Sequence, residues 1–419
     1  MLTVLEKINP SKEEILLVKK LSNNILKKIK IKDAKPILGG SAAKSTFLKN
    51  DYDIDIFVRF NKKYKNQNIS NILEKHLKKN FKRVIKIHGS RDYFQIKQDL
   101  FTFEIVPIIN ITNPKYAQNI TDVSPFHTKW VKSKTNHKLL DEIRLTKAFC
   151  KANHLYGAET YIKGFSGYVL EILTIYYGSF NNLIKNSINW KPGLVIDIEK
   201  HSSQLNPSKL SPLIIIDPVQ KERNAAAALS EKKFNEFIQL AKSFYHNPSK
   251  EFFEKKEFNP EKLHGAVVLK ALPLQGKEDI VGAKLIKVLN YIAKELDREG
   301  FEVKKYDWDW NSEAILWYFV KNENLPLLKK HFGPPIKEEA HVNVFKKKYK
   351  KLEIKQEKDK IYVELKRKHP NVSKFIEDLI SKDPYIKEKV KKIYFVKNSI
   401  SSERLYFQKI KNTRFKNLK

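Results

Sequence analysis

Two aspartates, Asp53 and Asp55, are separated by one residue at the start of a predicted strand. From 53 to 60 polar and apolar residues alternate, as in a half-buried strand. The apolar positions are Ile54, Ile56, Val58 and Phe60. Because alternate residues of a strand project to the same side about 6.5 to 7 Å apart, both carboxylates can converge on divalent cations. Carboxylate oxygens suit Mg²⁺, which also binds substrate phosphates, so the pair predicts a metal-dependent site for phosphate chemistry.

A third carboxylate, Glu104, lies in a second predicted strand over 101–107. The apolar positions of its other face are Phe101, Phe103 and Ile105. Glu104 therefore projects away from the expected core. Pro107 is expected to end the strand, because proline has no N–H to donate. The alternative is that all three acids are solvated residues in surface ion pairs, which is the commoner fate of each acid taken singly.

A glycine turn precedes the aspartate strand. Ile37-Leu38 leads into Gly39-Gly40-Ser41, and Lys44 follows in a predicted helix start. Glycine lets the backbone approach a phosphate, and a helix N-terminus, a hydroxyl and an ammonium group all attract one. The turn is not a P-loop, because no Gly-Lys-Ser/Thr closes it. A Gly-Gly-Ser turn alone is more often a plain connection between a strand and a helix. Its position before the aspartates indicates a nucleoside triphosphate site.

The composition favours a polyanionic partner. There are 81 Lys and Arg against 47 Asp and Glu, a formal net charge of +34, and the pI is about 9.7. Such a charge predicts binding to nucleic acid, although adaptation of a whole proteome or attraction to anionic lipid would also raise it. No apolar run approaches the roughly 18 residues of a membrane helix, and no signal peptide or lipidation motif is visible. We therefore expect a cytoplasmic protein without a membrane partner.

Cysteine and histidine give no sign of zinc. Cys150 is the single cysteine, which excludes an internal disulfide and a multi-cysteine zinc site. It lies in a predicted helix and is read as a small core residue. The histidines have no His-Glu-x-x-His spacing, so zinc is not expected.

The motifs are similar to those of a known family. Residues 40–46, Gly-Ser-Ala-Ala-Lys-Ser-Thr, with Asp53-Ile54-Asp55, resemble the active-site signature of the archaeal, class I CCA-adding enzymes, the tRNA nucleotidyltransferases of the DNA polymerase β superfamily. Further blocks agree in type and order. They are 124–127, 144–159, 164–168, 216–219 with Arg223-Asn224, and 333–335. The resemblance therefore covers nearly the whole chain.

The resemblance implies a role for individual residues. The catalytic metal ligands would be Asp53, Asp55 and Glu104, and the nucleotide-binding residues would be Gly40, Ser41, Lys44, His127, Lys147, Tyr156 and Arg223. Arg223 matches an arginine that reads the incoming base together with phosphates of the bound tRNA. Glu104 departs from the family, which usually has aspartate there. Ser90-Arg91-Asp92-Tyr93 stands where a His-Pro-Tyr type sequence is expected, and it is assigned no role.

Each of these residues also has a plainer interpretation. Lys147 lies on a basic stripe of a helix predicted over 141–154, which could be a solvated face. His127 could be a structural histidine in a turn, and Tyr156 a packed aromatic with a satisfied hydroxyl. Arg223 is predicted on a helix that begins near Asp217-Pro218, where a surface arginine would be ordinary.

The predicted architecture is α+β and multidomain. We expect a polymerase β-like nucleotidyltransferase head with a mixed sheet over 1–140, a mainly helical neck over 141–257, and a small α+β body and tail over 258–419 that bind tRNA. Basic runs at 346–351 and 387–392 could track phosphates or be solvated faces. Trp308, Trp310 and Trp317 could stack on bases or belong to the core.

The resemblance implies template-independent addition and repair of the 3′-terminal CCA of tRNA, with CTP and ATP as substrates, pyrophosphate as product and two Mg²⁺ ions as cofactors. A homodimer is one option for assembly. One alternative is an enzyme that adds only CC or A, or a poly(A)-type polymerase on the same fold. Another is a non-catalytic RNA-binding protein, which the intact aspartate pair argues against.

Overall fold

The computed structural model describes residues 2–255, 263–310 and 312–396. The chain divides into two compact units, Met1–Lys256 and Glu257–Lys419. The predicted boundary between 257 and 258 and the turn at Asn259-Pro260 lie outside the described residues.

The first unit contains helices and two sheets. Its helices are α1 (Leu2–Ile8), α2 (Lys12–Lys28), α3 (Gly40–Lys44), α4 (Ile69–Asn80), α5 (Ser124–Lys134), α6 (His137–Ala152), α7 (Gly167–Tyr177), α8 (Phe180–Ser187) and α9 (Glu231–His246). Its strands are β1 (Ala34–Leu38), β2 (Asp53–Phe60), β3 (Ile85–Ile87), β4 (Tyr93–Gln98), β5 (Phe101–Ile109), β6 (Leu194–Ile196), β7 (Leu213–Asp217) and β8 (Gln220–Asn224). Short 3-10 turns cover Lys62–Tyr64, Pro114–Tyr116, Ile120–Val123, Pro207–Lys209 and Lys250–Phe253.

The second unit has two further sheets. Its helices are α10 (Glu278–Glu299), α11 (Glu339–Lys348), α12 (Val372–Lys382) and α13 (Pro384–Lys389). Its strands are β9 (Val267–Leu272), β10 (Val303–Trp310), β11 (Ala314–Val320), β12 (Leu328–Pro335), β13 (Lys355–Glu357), β14 (Lys360–Lys366) and β15 (Lys392–Val396).

The five-stranded sheet of the first unit positions the acidic residues. Its order is β1-β2-β5-β4-β3, and β2 pairs with β5 in parallel. The predicted apolar face of β2 is buried, as is that of β5. These faces pack with α2 and α4 into one core, which leaves the acidic face of both strands on the other side of the sheet.

Strand β5 is longer than the sequence pattern predicts. Pro107 does not end it, since it pairs with Val58 and the strand continues to Ile109. Ile108 and Ile109 are buried, so apolar burial carries the strand past the missing N–H. The Pro107 carbonyl still accepts a hydrogen bond, from Arg91 Nη1 at 3.2 Å.

Between residues 124 and 246 the first unit is mainly helical, with a small sheet of order β6-β7-β8. The predicted helix at Arg223 is wrong, because Arg223 lies in β8 of a hairpin with β7. Asp217 Oδ1 accepts the Val219 N–H at 3.0 Å, which stabilises a turn in place of a helix start. Asn224 Oδ1 accepts from Ile215 N at 2.9 Å and fixes the hairpin.

An aromatic cluster holds these helices together. Phe149 of α6 is fully buried, and its ring centroid lies 5.3 Å from that of Phe180 and 5.5 Å from that of Phe244. Cys150 beside it is buried, which confirms its place in the core. Packing in this cluster therefore fixes the face of α6 that carries Phe149.

The second unit follows the sequence periodicity closely. Its larger sheet has the order β10-β11-β9-β15 and packs on α10, α12 and α13. The apolar residues that recur every three or four positions along α10 are buried, namely Val281, Leu285, Leu289, Ile292 and Leu296. The smaller sheet, β12-β14-β13, packs on α11. Trp308 and Trp310 stack on each other at 5.9 Å and lie partly buried against the core between the larger sheet and its helices.

None of the helices in the described ranges combines the length and the apolar character needed to cross a membrane.

Phe149→Ala should destabilise the first unit. The substitution leaves a cavity among packed rings, so we expect the free energy of unfolding to fall by about 3 to 5 kcal/mol. Urea unfolding followed by circular dichroism measures this loss. Tyr245→Ala, which removes a ring that is 49% exposed, should change stability by less than about 0.5 kcal/mol. Equal effects of the two substitutions would contradict the assigned core.

Candidate active site

The glycine turn lies directly against Asp55. The Gly39 N–H donates to the Asp55 carbonyl at 2.8 Å, and Gly40 has φ of +56°. A Cβ at Gly40 would lie 1.7 Å from Asp55 Oδ2. Position 40 therefore needs glycine both for its left-handed backbone and for the close approach of the carboxylate.

The carboxylates meet across the β2-β5 pair. Asp55 lies opposite Glu104 in register, and Asp53 lies opposite Thr102. Neighbouring strands are about 4.8 Å apart, so Asp55 and Glu104 are adjacent on one face. Gln95 Nε2 from the next strand donates to Glu104 Oε1 at 2.8 Å.

Asp55 is poorly compensated electrostatically. Burial raises the pKa of Asp55 to about 7; the negative charge of Glu104 and, less strongly, that of Asp53 also raise it, whereas Lys44 opposes the shift. A cation at this position would remove the repulsion, and the oxygen donors suit Mg²⁺. Across the described ranges, no group of three or more His, Cys, Asp or Glu side chains is arranged so that it could hold a metal ion by itself. Mg²⁺ commonly binds through one or two carboxylates plus substrate phosphates, so the Asp55-Glu104 pair fits it without a third protein ligand.

A buried ion cluster, called here the lysine cluster, consists of Lys44, Thr46, Lys147 and Glu171. Glu171 Oε2 lies 2.5 Å from Lys44 Nζ. Glu171 Oε1 accepts hydrogen bonds from Lys147 Nζ at 2.8 Å and from Thr46 Oγ1 at 2.7 Å. Lys147 is only 3% exposed, so its interpretation as part of a solvated helix face is wrong.

The ionised forms of Glu171 and Lys147 stabilise each other within the lysine cluster. Burial favours the neutral form of Glu171, but the charges of Lys147 and Lys44 and their hydrogen bonds lower its pKa to about 2. Burial lowers the pKa of Lys147, and the charge of Glu171 counteracts the shift. Each ion is therefore retained because of the other.

Two further basic residues on the same face of α6, Arg144 and Lys151, contact the segment that follows the glycine turn. Arg144 Nη2 donates to the Ser45 carbonyl at 2.7 Å and Nε to the Phe47 carbonyl at 3.3 Å. Lys151 Nζ pairs with Asp51 at 2.6 Å. The stripe is thus a contact surface that joins α6 to the segment between the turn and β2.

Tyr156 lies beside the lysine cluster. A Cβ added at Gly167 would lie 2.7 Å from the Tyr156 hydroxyl and 3.7 Å from Lys147 Cε, so these atoms surround the start of α7. Lys151 Nζ is 4.8 Å from the Tyr156 ring centroid. Burial raises the pKa of Tyr156, and its phenol stays protonated at neutral pH.

A second buried carboxylate, Asp217, organises His127, Tyr168 and Arg223. Arg223 Nη1 donates to Asp217 Oδ2 at 2.5 Å, and the Tyr168 hydroxyl donates to Oδ1 at 3.3 Å. His127 Nε2 lies 3.2 Å from Oδ2 without hydrogen-bond geometry. The His127 and Tyr168 rings stack at 4.1 Å. Arg223 keeps 30% of its side chain exposed, so part of its guanidinium faces outward.

The Asp217 group connects with the lysine cluster through Lys44. Lys44 Nζ lies 5.8 Å from the Tyr168 ring centroid, and its charge helps burial to lower the pKa of His127. Five of the predicted nucleotide-binding side chains thus lie in two linked groups, namely Lys44, Lys147, Tyr156, His127 and Arg223, whereas Gly40 and Ser41 lie at the turn. Sequence reasoning missed Tyr168, Glu171 and Asp217 as members. For Glu171 there was a signal, since a single acid stands in the apolar segment 169–177.

The four-residue stretch 90–93, where the expected family motif is missing, has a structural contact. Arg91 pairs with Asp122, which is 1% exposed and accepts the Ile109 N–H at 2.8 Å. These contacts hold the end of β5 in place.

Asp217→Asn should make the free energy of unfolding less dependent on pH at acidic pH. Partners that include His127 and Arg223 outweigh burial and lower the pKa of Asp217 to about 2, against about 3.9 for an unfolded aspartate. A lowered pKa stabilises the fold above about pH 4, here by about 2 kcal/mol, and the contribution disappears as pH falls toward about 2.

Urea unfolding at a series of pH values tests this expectation. The difference in stability between the native protein and Asp217→Asn should shrink from about pH 4 to pH 2. Asp99→Asn, in an exposed turn, serves as the control and should follow the native curve. A constant difference for Asp217→Asn would contradict a charge-based contribution.

Family models match along most of the chain. A nucleotidyltransferase domain matches residues 18–120, the second domain of tRNA nucleotidyltransferase matches 141–254, and the C-terminal domain of CCA-adding enzyme matches 266–399. These matches confirm the predicted multidomain α+β fold with a nucleotidyltransferase domain.

Curated relatives cover most of the chain as well. A CCA-adding enzyme of Nanoarchaeum equitans is 40% identical over 76% of this chain and 81% of its own length. One of Methanocaldococcus jannaschii is 33% identical over 90% of this chain and 89% of its own length. The solved structure of a cytoplasmic RNA terminal U-transferase covers 61% of this chain and 97% of its own, with 14% identity and a TM-score of 0.47. From the relatives' identity and coverage, the chain belongs to the family of CCA-adding enzymes.

Proposed function

We infer that this chain adds and repairs the 3′-terminal CCA of tRNA, with CTP and ATP as substrates and pyrophosphate as product. The observation that carries this inference is the contact of the Gly40 turn with Asp55 beside the buried lysine cluster. It brings an anion-attracting turn, a carboxylate pair and fixed ammonium groups together, as transfer of a nucleotidyl group requires.

We propose that the triphosphate lies over the turn. Gly40 lets it approach the backbone, and Ser41 donates its hydroxyl. Lys44 and Lys147 supply two ammonium groups, while the cluster contains a single carboxylate. The remaining positive charge favours an anionic ligand. Tyr156, whose hydroxyl lies near Lys147, would complete this part of the site.

Asp53, Asp55 and Glu104 would hold Mg²⁺, with two ions as the proposed number. When bound, Mg²⁺ makes the attacking 3′-hydroxyl more acidic and stabilises negative charge on the phosphates and on pyrophosphate. Glu104 is longer than the aspartate usual in the family, and Gln95 holds its Oε1 in position. A carboxylate of the Asp55-Glu104 pair is also placed to accept the proton that the hydroxyl loses.

We propose that Arg223 reads the incoming base. Asp217 fixes one guanidinium nitrogen, and the exposed remainder offers a planar set of donors suited to a base edge or a phosphate. The Tyr168 hydroxyl binds the other Asp217 oxygen, and the Tyr168 ring stacks on that of His127. The nucleotide selected therefore depends on donors whose direction is set before binding.

For the domains we propose a catalytic head over 1–140, a neck over 141–257, and a body and tail over 258–419 that bind tRNA. Exposed lysines at the end of α11, Lys346, Lys347 and Lys348, support contact with RNA phosphates. The homodimer stays a prediction.

The direct test supplies tRNAs that end before the first C, after C and after CC, each with CTP, ATP, UTP or GTP alone and with CTP and ATP together. Sequencing the products should reveal C added first, then C, then A, and no extension with UTP or GTP. Asp55→Ala should lower incorporation by at least about 10³-fold with tRNA binding retained, because the site loses its central carboxylate. Products that stop at CC, that carry only A, or that grow into poly(A) would replace full CCA addition with those activities.

Arg223→Ala should blur the choice among nucleotides. We expect discrimination against UTP and GTP to fall by about tenfold or more, since one or two donors to the base are lost. Single-turnover incorporation of each nucleotide measures this ratio. Lys221→Ala, an exposed neighbour on β8, is the matched control and should leave the ratio unchanged. Discrimination equal to that of the native protein in Arg223→Ala would remove Arg223 from base selection.

A further inference from the structure

Glu171 has no part in the function proposed above, yet it is the centre of the lysine cluster. We propose that Glu171 is a positioning residue that holds Lys44 and Lys147 in place for the triphosphate, and so sets the affinity for CTP and ATP alike. This inference rests on the proposed function.

The geometry divides the carboxylate between the two lysines. Oε2 binds Lys44 at 2.5 Å, and Oε1 binds Lys147 at 2.8 Å. Thr46 braces the arrangement, because its hydroxyl donates to Oε1 at 2.7 Å and accepts from Lys147 Nζ at 2.9 Å. A flexible ammonium group is restricted when each of its hydrogen-bond partners is itself fixed.

The backbone around Glu171 makes the carboxylate rigid. It lies mid-helix in α7, fully buried, between Leu170 and Ile172, which are also fully buried. Lys44 comes from the one-turn helix after the glycine turn, and Lys147 comes from α6. Glu171 therefore links two distant parts of the chain at a fixed distance from one another, as a preorganised binding site requires.

Charge also matters in this arrangement. Lys147 faces the carboxylate of Glu171 on α7, the ammonium of Lys44, and at longer range Asp51, which pairs with Lys151. A neutral side chain at 171 would leave two ammonium groups close together without the anion between them. They would then move apart, or Lys147 would lose its proton, and either change weakens its hold on a phosphate.

The experiment measures nucleotide binding without catalysis. Equilibrium dialysis of the full chain with CTP or ATP, Mg²⁺ and no tRNA gives Kd for the native protein, Glu171→Gln and Glu171→Asp. Glu171→Gln should weaken CTP and ATP equally, by about tenfold or more, since both share the triphosphate. Its Kd should also rise more steeply with increasing pH than that of the native protein, because Lys147 has lost its counter-charge.

Glu171→Asp keeps the charge and should recover part of the affinity. Asp122→Asn is the matched control. It also removes a buried, ion-paired carboxylate, whose partner here is Arg91. Asp122 shares no partner with the lysine cluster, so both Kd values should stay within about twofold of native. If Glu171→Gln does not fold, Thr46→Val, which removes the bracing hydroxyl, should weaken both nucleotides several-fold.

Two results would overturn the inference. One is a folded Glu171→Gln variant, or in its absence a folded Thr46→Val variant, that binds both nucleotides as tightly as the native protein does. The other is a loss confined to CTP or to ATP, which would make Glu171 a determinant of base choice. Failure of the proposed function gives a different result, since the native protein would then add no nucleotide to truncated tRNA whatever the Kd values.

Discussion

Ionised side chains can be buried only where other groups replace the water they lose, and the first unit depends on this constraint at three carboxylates. Glu171 and Asp217 are fully buried, and basic partners lower the pKa of each to about 2. Asp55 is placed differently, since the nearby charge of Glu104 adds to burial and raises its pKa to about 7. The first two are satisfied within the protein, whereas the charge of Asp55 is not balanced by its neighbours. In the proposed function a cation would balance it, and Asp55 would act in the site that the other two build.

The placement of Asp55 follows from strand register and one glycine. Parallel pairing of β2 with β5 sets Asp55 opposite Glu104, and a shift of either strand by one residue would turn its acidic side chain toward the core. Gly40 removes the one atom that would collide with the carboxylate. Because the site is built on paired strands and a helix-bound cluster, it is held more precisely than loops alone would allow.

Local patterns predicted what depends on local sequence. The alternation in β2, the turn at Gly40 and the inward stripe of α10 all follow from periodicity and from backbone preference, and the structure has them in place. Two errors, those at Pro107 and Lys147, concern residues whose contact partners lie far along the chain. Pro107 stays within a strand because Val58 and the apolar core continue beside it.

Lys147 illustrates the same limit within the site. In the sequence it is one of three basic residues on a helix face, and only the fold brings Glu171 and Thr46 to it. Arg223 is a different case, because the contacts that place it on a strand are local: Asp217 and Asn224 bond the hairpin from within. Since the partner of a buried charge need not be near it in sequence, periodicity cannot identify such a residue, whereas a single acid in an apolar helix is a usable sign.

Lys44 joins the three charged groups of the site. It binds Glu171 directly, lies 5.8 Å from the Tyr168 ring that contacts Asp217, and opposes the raised pKa of Asp55. A triphosphate that draws on Lys44 would therefore alter the electrostatic surroundings of both the carboxylate pair and the Asp217 group. CTP and ATP present the same triphosphate to Lys44, so this coupling cannot tell them apart. In the proposed function, selection between them would come from the Arg223 side of the site, which would face the base.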